Sequence, residues 1–172
     1  MRIHFSNVNF SSSSGPNTFA HRLANELVIQ GHDIVNYASG YDIFLCFIEP
    51  ANTPHEGSKF IQRLDGIWFK PKQFDSHNKM IKLAYDNCDH VIWQSEFDKK
   101  MTEKWWGAAH GTVIGNGIKV TKPEISNQLK DIRKKHDKIF VCAASWHRQK
   151  RLKENILLFQ KLAKDNDILF VL

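Results

Sequence analysis

Residues 3–35 read IHFSNVNFSSSSGPNTFAHRLANELVIQGHDIV. A short apolar run, Ile3–Phe5, gives way to a serine-rich stretch. Then Phe19, Leu23 and Leu27 recur at i, i+4 and i+8, the apolar stripe of a helix. Asn17 and Thr18 suit the helix start, and Gly31 suits its end. Asp33–Tyr37 resumes an extended pattern. Strand, loop, helix and strand in that order predict a parallel pairing with a crossover helix.

The loop NFSSSSGPNT (residues 9–18) has two readings. Ser and Gly clusters commonly mark flexible connectors. A helix start also exposes unpaired backbone N–H groups and the positive end of the helix dipole, which suits a phosphate. On the second reading Gly15 lets the anion approach the backbone.

The alternation continues along the chain. Tyr41–Ile48 is nearly all apolar, as in a strand buried on both faces, and Lys59–Phe69 holds another strand. A helix is expected from about Ser76 to Cys88, with Ile81, Ala84 and Cys88 on one face. His90–Gln94 is a strand. Ser95 and Asp98 have capping-box spacing and open a helix striped by Phe97, Met101 and Trp105, read as core. It stops at Gly107. Thr112–Ile114 is a strand, followed by the turn Gly115-Asn116-Gly117. Residues 1–118 therefore read as one domain, with the first strand central in its sheet. Residues 119–137 read as a basic linker with a helical turn around Leu129–Ile132. The pattern restarts with strand Lys138–Ala144, the basic loop SWHRQKR, a helix striped by Leu152, Ile156, Phe159 and Ala163, and strand Asp167–Leu172. Residues 138–172 are the start of a second unit.

The chain has 172 residues and a formal net charge of +6. Residues 119–153 hold eleven Lys or Arg and three Asp or Glu, whereas the rest carries thirteen basic and fifteen acidic side chains. The positive excess thus sits in one segment, fit to face a nucleotide, a nucleic acid or an anionic membrane. No run of 18 apolar residues exists, and the N-terminus turns polar too early for a secretory signal. Three cysteines without CxxC spacing read as reduced thiols in a cytoplasmic protein.

Metal chemistry has little support: there is no HExxH or HxH, and Asp165-Asn166-Asp167 reads as a helix-ending turn. GxSxG, GxGxxG and GxxxxGK[ST] are absent. Arg63-Leu64-Asp65-Gly66 places a charged pair inside a run otherwise fit for burial. One reading is an internal ion pair or strand-end turn. The other puts Asp65 at the ligand-binding edge of the sheet, where a carboxylate accepts a proton from a hydroxyl or binds it. Arg148 and Lys150 precede a helix whose dipole favours anions, a conflict that a bound phosphate would relieve.

In order and spacing, SSSSGPNTFAHRLANELVIQGHDIV, VIWQSEFDKKM, TVIGNGI and FVCAASWHRQKRLKENILLF resemble the retaining nucleotide-sugar glycosyltransferases of the GT-B fold, the large group often called family 4. The resemblance covers essentially the whole chain. It implies an α/β fold: a Rossmann-like parallel sheet with helices on both faces, then a partial second β-α-β unit of the donor-binding domain. It implies that the first loop, at Gly15, lies against the donor's phosphate and sugar. The family's second-domain loop supplies an Arg and, five residues on, a Lys to the diphosphate. Lys150 matches the Lys, Ser145 stands at the Arg position, and Arg148 is the nearby substitute. A His-Asp pair often follows the family's fourth strand; here it is Leu64-Asp65, so only Asp65 carries over as the catalytic candidate. Ser14, Arg63 and Asn116 are expected at the acceptor side or cleft.

The resemblance thus implies transfer of a sugar from a UDP- or GDP-sugar to a sugar, lipid or glycan acceptor, with no metal or other cofactor. It allows peripheral contact with a membrane. The family's paired glutamates, which bind the donor's ribose and sugar, have no counterpart before Leu172, so residues 1–172 alone are expected to turn over little. The alternative is a non-catalytic module that binds nucleic acid or an anionic surface through residues 119–153. Of these partners a nucleotide sugar is favoured over nucleic acid.

Overall fold

The computed structural model describes residues 1–117, 122, 124–144, 146 and 148–172. Two compact units divide the chain, Met1–Ile118 and Lys119–Leu172. Pro123 of the basic interval and Ser145 and His147 of the basic loop lie outside the described residues.

The first unit is α/β and Rossmann-like. Its elements run β1 (Arg2–Ser6), α1 (Gly15–Ile29), β2 (Asp33–Val35), β3 (Ile43–Phe47), β4 (Lys59–Leu64), α2 (Pro71–Asn87), β5 (His90–Trp93), α3 (Glu96–Trp106) and β6 (Gly111–Val113). All six strands are parallel, in the order β2-β1-β3-β4-β5-β6. The first strand is not central: β3 and β4 hold the middle, and β1 lies next to the edge strand β2. The chain reaches β2 through α1 and then returns past β1 to start β3. The strand order therefore reverses between β1 and β3.

Strand alternation sorts side chains to two faces. Ile3 and Phe5 of β1 join Leu45, Phe47, Ala20 and Ala24 under α1, with Phe19, Leu23 and Leu27 packed against them. The other face buries Phe44, Cys46, Phe60 and Ala84 in one cluster. A second cluster there holds Leu64, Ile67, Ile81, Tyr85, Val91 and Trp93, joined by Trp106 at the end of α3. Gln62 is fully buried and ties sheet to helix, its Nε2 donating to the carbonyls of Ile48 (2.7 Å) and Ile81 (2.9 Å).

Several boundaries differ from the sequence expectation for local reasons. β4 stops at Leu64 because Gly66 takes φ 136°. α2 begins at Pro71, five residues before Ser76, since proline's fixed φ suits a first helical turn. Ser95 caps α3 as its spacing predicts, accepting from the Asp98 N–H at 3.1 Å. The Phe97-Met101-Trp105 stripe is not the core face: Phe97 is 64% and Trp105 53% exposed, while Thr102 is fully buried and Trp106 packs inward.

In the second unit, α4 (Asn127–Lys135) precedes β7 (Lys138–Val141). A single 3-10 turn, Arg148–Lys150, leads into α5 (Leu152–Leu162), and β8 (Ile168–Val171) follows. β7 and β8 pair in parallel. α4 is a nine-residue helix where the sequence suggested one turn in a linker. Phe159 of α5 stacks on Phe170 at 3.9 Å between centroids and lies 4.9 Å from Phe140. A turn at Ala163-Lys164 ends α5, Asp165 and Asn166 form a bend after it, and Asp167 accepts from the His136 ring at 2.8 Å.

Candidate functional site

In parallel α/β sheets ligands bind beyond the carboxyl ends of strands, at the point where strand order reverses. Here that point lies between the ends of β1 and β3. Asn7 (φ 62°) and Ile48 (φ 69°), the residues that follow these strands, both adopt left-handed backbone. For β-branched Ile48 this conformation is strained. Hydrogen bonds hold both in place: Asn7 Nδ2 donates to the Phe47 carbonyl at 3.0 Å, and the Ile48 N–H donates to the Arg63 carbonyl at 2.9 Å. Ser6, 1% exposed, accepts the Ala51 N–H on its Oγ at 2.9 Å. The result is a crevice of about 430 Å³, whose polar lining comes from His4, Ser6, Asn7, Asn9, Asn17 and Asn52.

The serine loop closes one side of this crevice and is organised by its own side chains. The Asn9 N–H donates to Asn17 Oδ1 (2.9 Å), Asn9 Oδ1 accepts from the Ser11 N–H (2.9 Å), and Asn17 Nδ2 donates to Ser14 Oγ (2.9 Å). Ser14 Oγ accepts from this amide and makes no side-chain cap bond to α1. Pro16 has no N–H and the Thr18 N–H donates to the Ser14 carbonyl at 2.8 Å, so the first turn has only the Gly15 and Asn17 N–H groups to offer an outside acceptor. Gly15 opens α1, and a methyl group added there would meet no atom within 4 Å. Its place is open to solvent.

Arg63 and Asn116, 53 residues apart, meet at the carboxyl ends of β4 and β6, where Arg63 Nη2 donates to Asn116 Oδ1 at 2.5 Å. The guanidinium, on a residue 4% exposed, lies 3.8 Å from the centroid of the Phe19 ring. Turning over the Gln94 amide, as its surroundings favour, places its oxygen 3.1 and 3.2 Å from the same guanidinium. Burial lowers the Arg63 pKa, and the nearby Asp65 charge opposes that shift. Asp65 follows β4 on an exposed rim. Crowding by surrounding protein raises its carboxyl pKa above the ordinary value; Arg63 pulls it down and Asp98 pushes it further up.

Arg148 and Lys150 belong to the second unit. They occupy the 3-10 turn before α5. A hollow of about 420 Å³ there is lined by Trp146, Arg148, Arg151, Lys153 and Glu154 among others. Arg151 takes φ 55° at the helix start and lies 3.9 Å from Glu154. Glu154 in the first turn relieves part of the clash between basic side chains and the helix dipole. The Lys150 carbonyl accepts from Asn155 Nδ2 of α5 at 3.2 Å.

Within the first unit, then, the fold brings Arg63 to Asn116 and Asp65, and Ser14 and Gly15 to the start of α1. The sequence reading missed His4, Asn7 and Asn52. Asn7 immediately follows an apolar strand, a signal that could have marked it. His4 and Asn52 carry no such signal, because only the sheet order places them together. Among the described residues no three His, Cys, Asp or Glu side chains cluster as a metal site, and no helix is long and apolar enough to cross a membrane. In comparison with known proteins, no family model matches the chain and no curated protein does.

Proposed function

We propose that this chain is part of a glycosyltransferase that moves a sugar from a UDP- or GDP-sugar to an acceptor. The observation that carries this reading is the meeting of Arg63, Asp65 and Asn116 at one carboxyl edge of the sheet, since these residues come from two separate segments of the glycosyltransferase-like pattern. Asp65, with its raised pKa, suits proton exchange with a sugar hydroxyl. Gly15 leaves room for donor atoms beside free N–H groups. Arg148 and Lys150 offset diphosphate charge as the leaving group departs. No metal takes part in this scheme.

The test is nucleotide binding by calorimetry. Loss of a charge-assisted contact costs about 1.5–3 kcal/mol. Lys150→Ala is therefore expected to weaken UDP or GDP binding about tenfold to a hundredfold. Lys130→Ala removes the same formal charge from α4 and is expected to change little. Equal, small effects would overturn the diphosphate assignment. If they came with an affinity falling steeply with salt, a module binding nucleic acid or an anionic surface would replace the transferase.

A further inference from the structure

Two histidines from separate segments meet at the amino edge of the first unit's sheet, opposite the carboxyl edge that holds Arg63 and Asn116. His90 opens β5, and His110 immediately precedes β6. Their Nδ1 atoms lie 3.1 Å apart, with ring centroids at 4.7 Å and ring planes at 79°. His110 Nδ1 is also 3.3 Å from the Asp89 carbonyl oxygen. On the other side of the His90 ring, Nε2 lies 3.0 Å from Thr112 Oγ1. The cluster is open to solvent: His90 is half-buried, and Asp89, His110 and Thr112 are exposed.

This spacing suits a metal ion as well as a proton. Imidazole nitrogens bind zinc at about 2.0–2.1 Å, so two on one ion, at angles between square and tetrahedral, lie about 2.8–3.4 Å apart. Without metal, one Nδ1 carries the proton that joins the two rings. With metal, both Nδ1 atoms present lone pairs, and the proton of the donor ring moves to its own Nε2. Thr112 Oγ1 stands where it accepts the His90 Nε2 proton, an outer contact of the kind that fixes tautomer and ring orientation in metal-bound histidines. The Asp89 carboxylate is engaged elsewhere: Oδ2 accepts the Phe60 N–H at 2.8 Å, and Oδ1 faces Lys59 Nζ at 3.4 Å. The donor set is thus two imidazoles and one backbone carbonyl, with water left to complete the coordination. A neutral set led by imidazole favours Zn²⁺, Ni²⁺ or Cu²⁺ over Mg²⁺ and Ca²⁺.

We propose that His90 and His110 form a two-histidine site for a divalent transition metal of the zinc, nickel and copper class, and that the bound ion ties β6 to β5. β6 is three residues long and, among the described residues, pairs on one side only. An ion held between the residue before it and the first residue of β5 anchors an edge strand that its own short ladder holds weakly. The site stands apart from the transferase reading, and its failure would leave the nucleotide-binding test above untouched.

The experiment titrates the full chain, first stripped with a chelator, with zinc chloride and separately with magnesium chloride. Calorimetry reads the affinity, and NMR follows the imidazole nitrogens. Zinc is expected to bind saturably and to shift His90 and His110 before the other histidines; magnesium is expected to shift neither. Thr112→Val, which removes the acceptor of the Nε2 proton, is expected to weaken zinc binding about tenfold. His90→Gln and His110→Gln each remove a ligand and are expected to weaken it further. His136→Gln removes the imidazole paired with Asp167 and is expected to leave this site unchanged. The His110 side chain is exposed, so the metal-free His110→Gln chain is expected to keep the parent's Tm. Zinc is also expected to slow amide exchange in β6 more than in β2, the opposite edge strand. No saturable zinc binding, zinc binding that survives both His90→Gln and His110→Gln, or equal shifts with magnesium would each overturn the site. An equal effect of zinc on exchange in the two edge strands would overturn the anchoring of β6.

Discussion

Arg63 is a buried cation held by a ring and by amides, and among the described residues it forms no ion pair. This makes Arg63 and its partner Asn116 unequal under mutation. Asn116 is exposed and can turn to water, but the guanidinium cannot. Asn116→Ala is thus expected to cost about 1–3 kcal/mol, whereas Arg63→Met, which replaces a buried charge by an apolar chain, is expected to be near neutral. The double variant should resemble Arg63→Met alone in urea melts; additive losses would show that Asn116 acts otherwise. Asp65 is a second case. Its raised pKa means that ionisation is harder in the folded state than in the unfolded one. Below the ordinary carboxyl range both states are protonated and Asp65 costs nothing; as pH rises through its folded value, that advantage is lost. Asp65→Asn is therefore expected to raise Tm at pH 7, with the gain vanishing near pH 3.

Elements made of strong local signals were legible from the chain alone. β1, α1, β3 and β5 follow from apolar runs and helical period, and the Asp98 N–H meets Ser95 as spacing implies, but α1 starts at Gly15, so Asn17 and Thr18 lie inside it and do not cap it. The core face of α3 was not legible. Apolar side chains at i, i+4 and i+8 suggested Phe97, Met101 and Trp105, but the helix is rotated so that Thr102 and Trp106 face inward. Thr102 satisfies its hydroxyl within the helix, donating to the Asp98 carbonyl at 2.7 Å, which lets a polar residue occupy a buried position. The candidate site was partly legible for a related reason. Arg63, Asp65 and Asn116 stand out as polar residues at strand ends, whereas His4 sits inside an apolar strand and only the sheet order brings it to the crevice. β6 shows how tightly one element is seated. A Cβ at Gly111 would run into the Val91 carbonyl oxygen and the Trp93 indole. Gly111→Ala is expected to lose about 1–3 kcal/mol by overpacking, measured by urea denaturation.

Across the molecule, stability is unevenly spread. The first unit holds three buried clusters, and among the described residues of the second no side chain is fully buried. Amides of β3 and β4 are expected to exchange with solvent near the global unfolding limit, and those of β7 and β8 within minutes. Comparable protection in both sheets would contradict this. Alkali should act on the first unit. Burial raises the pKa of Cys46, raises Cys88 and Tyr41, and pushes Tyr85 up to about 12. The fold favours the neutral forms of these groups. Their contribution is full below the unfolded thiol and phenol values, about 8.5 and 10, and is lost as pH rises above them. Cys46→Ala should show a shallower decline between pH 8.5 and 10.

The paired β7 and β8 carry one further consequence. Each has a partner on one side only among the described residues, and Ile168-Leu169-Phe170-Val171 contains no charge and no proline. Such an edge is a template for strands of neighbouring molecules. Concentrated solutions of this chain should accordingly gather into thioflavin-binding aggregates seeded from that sheet, and a lysine at Val141, whose side chain is 73% exposed, should lengthen the lag before they scatter light.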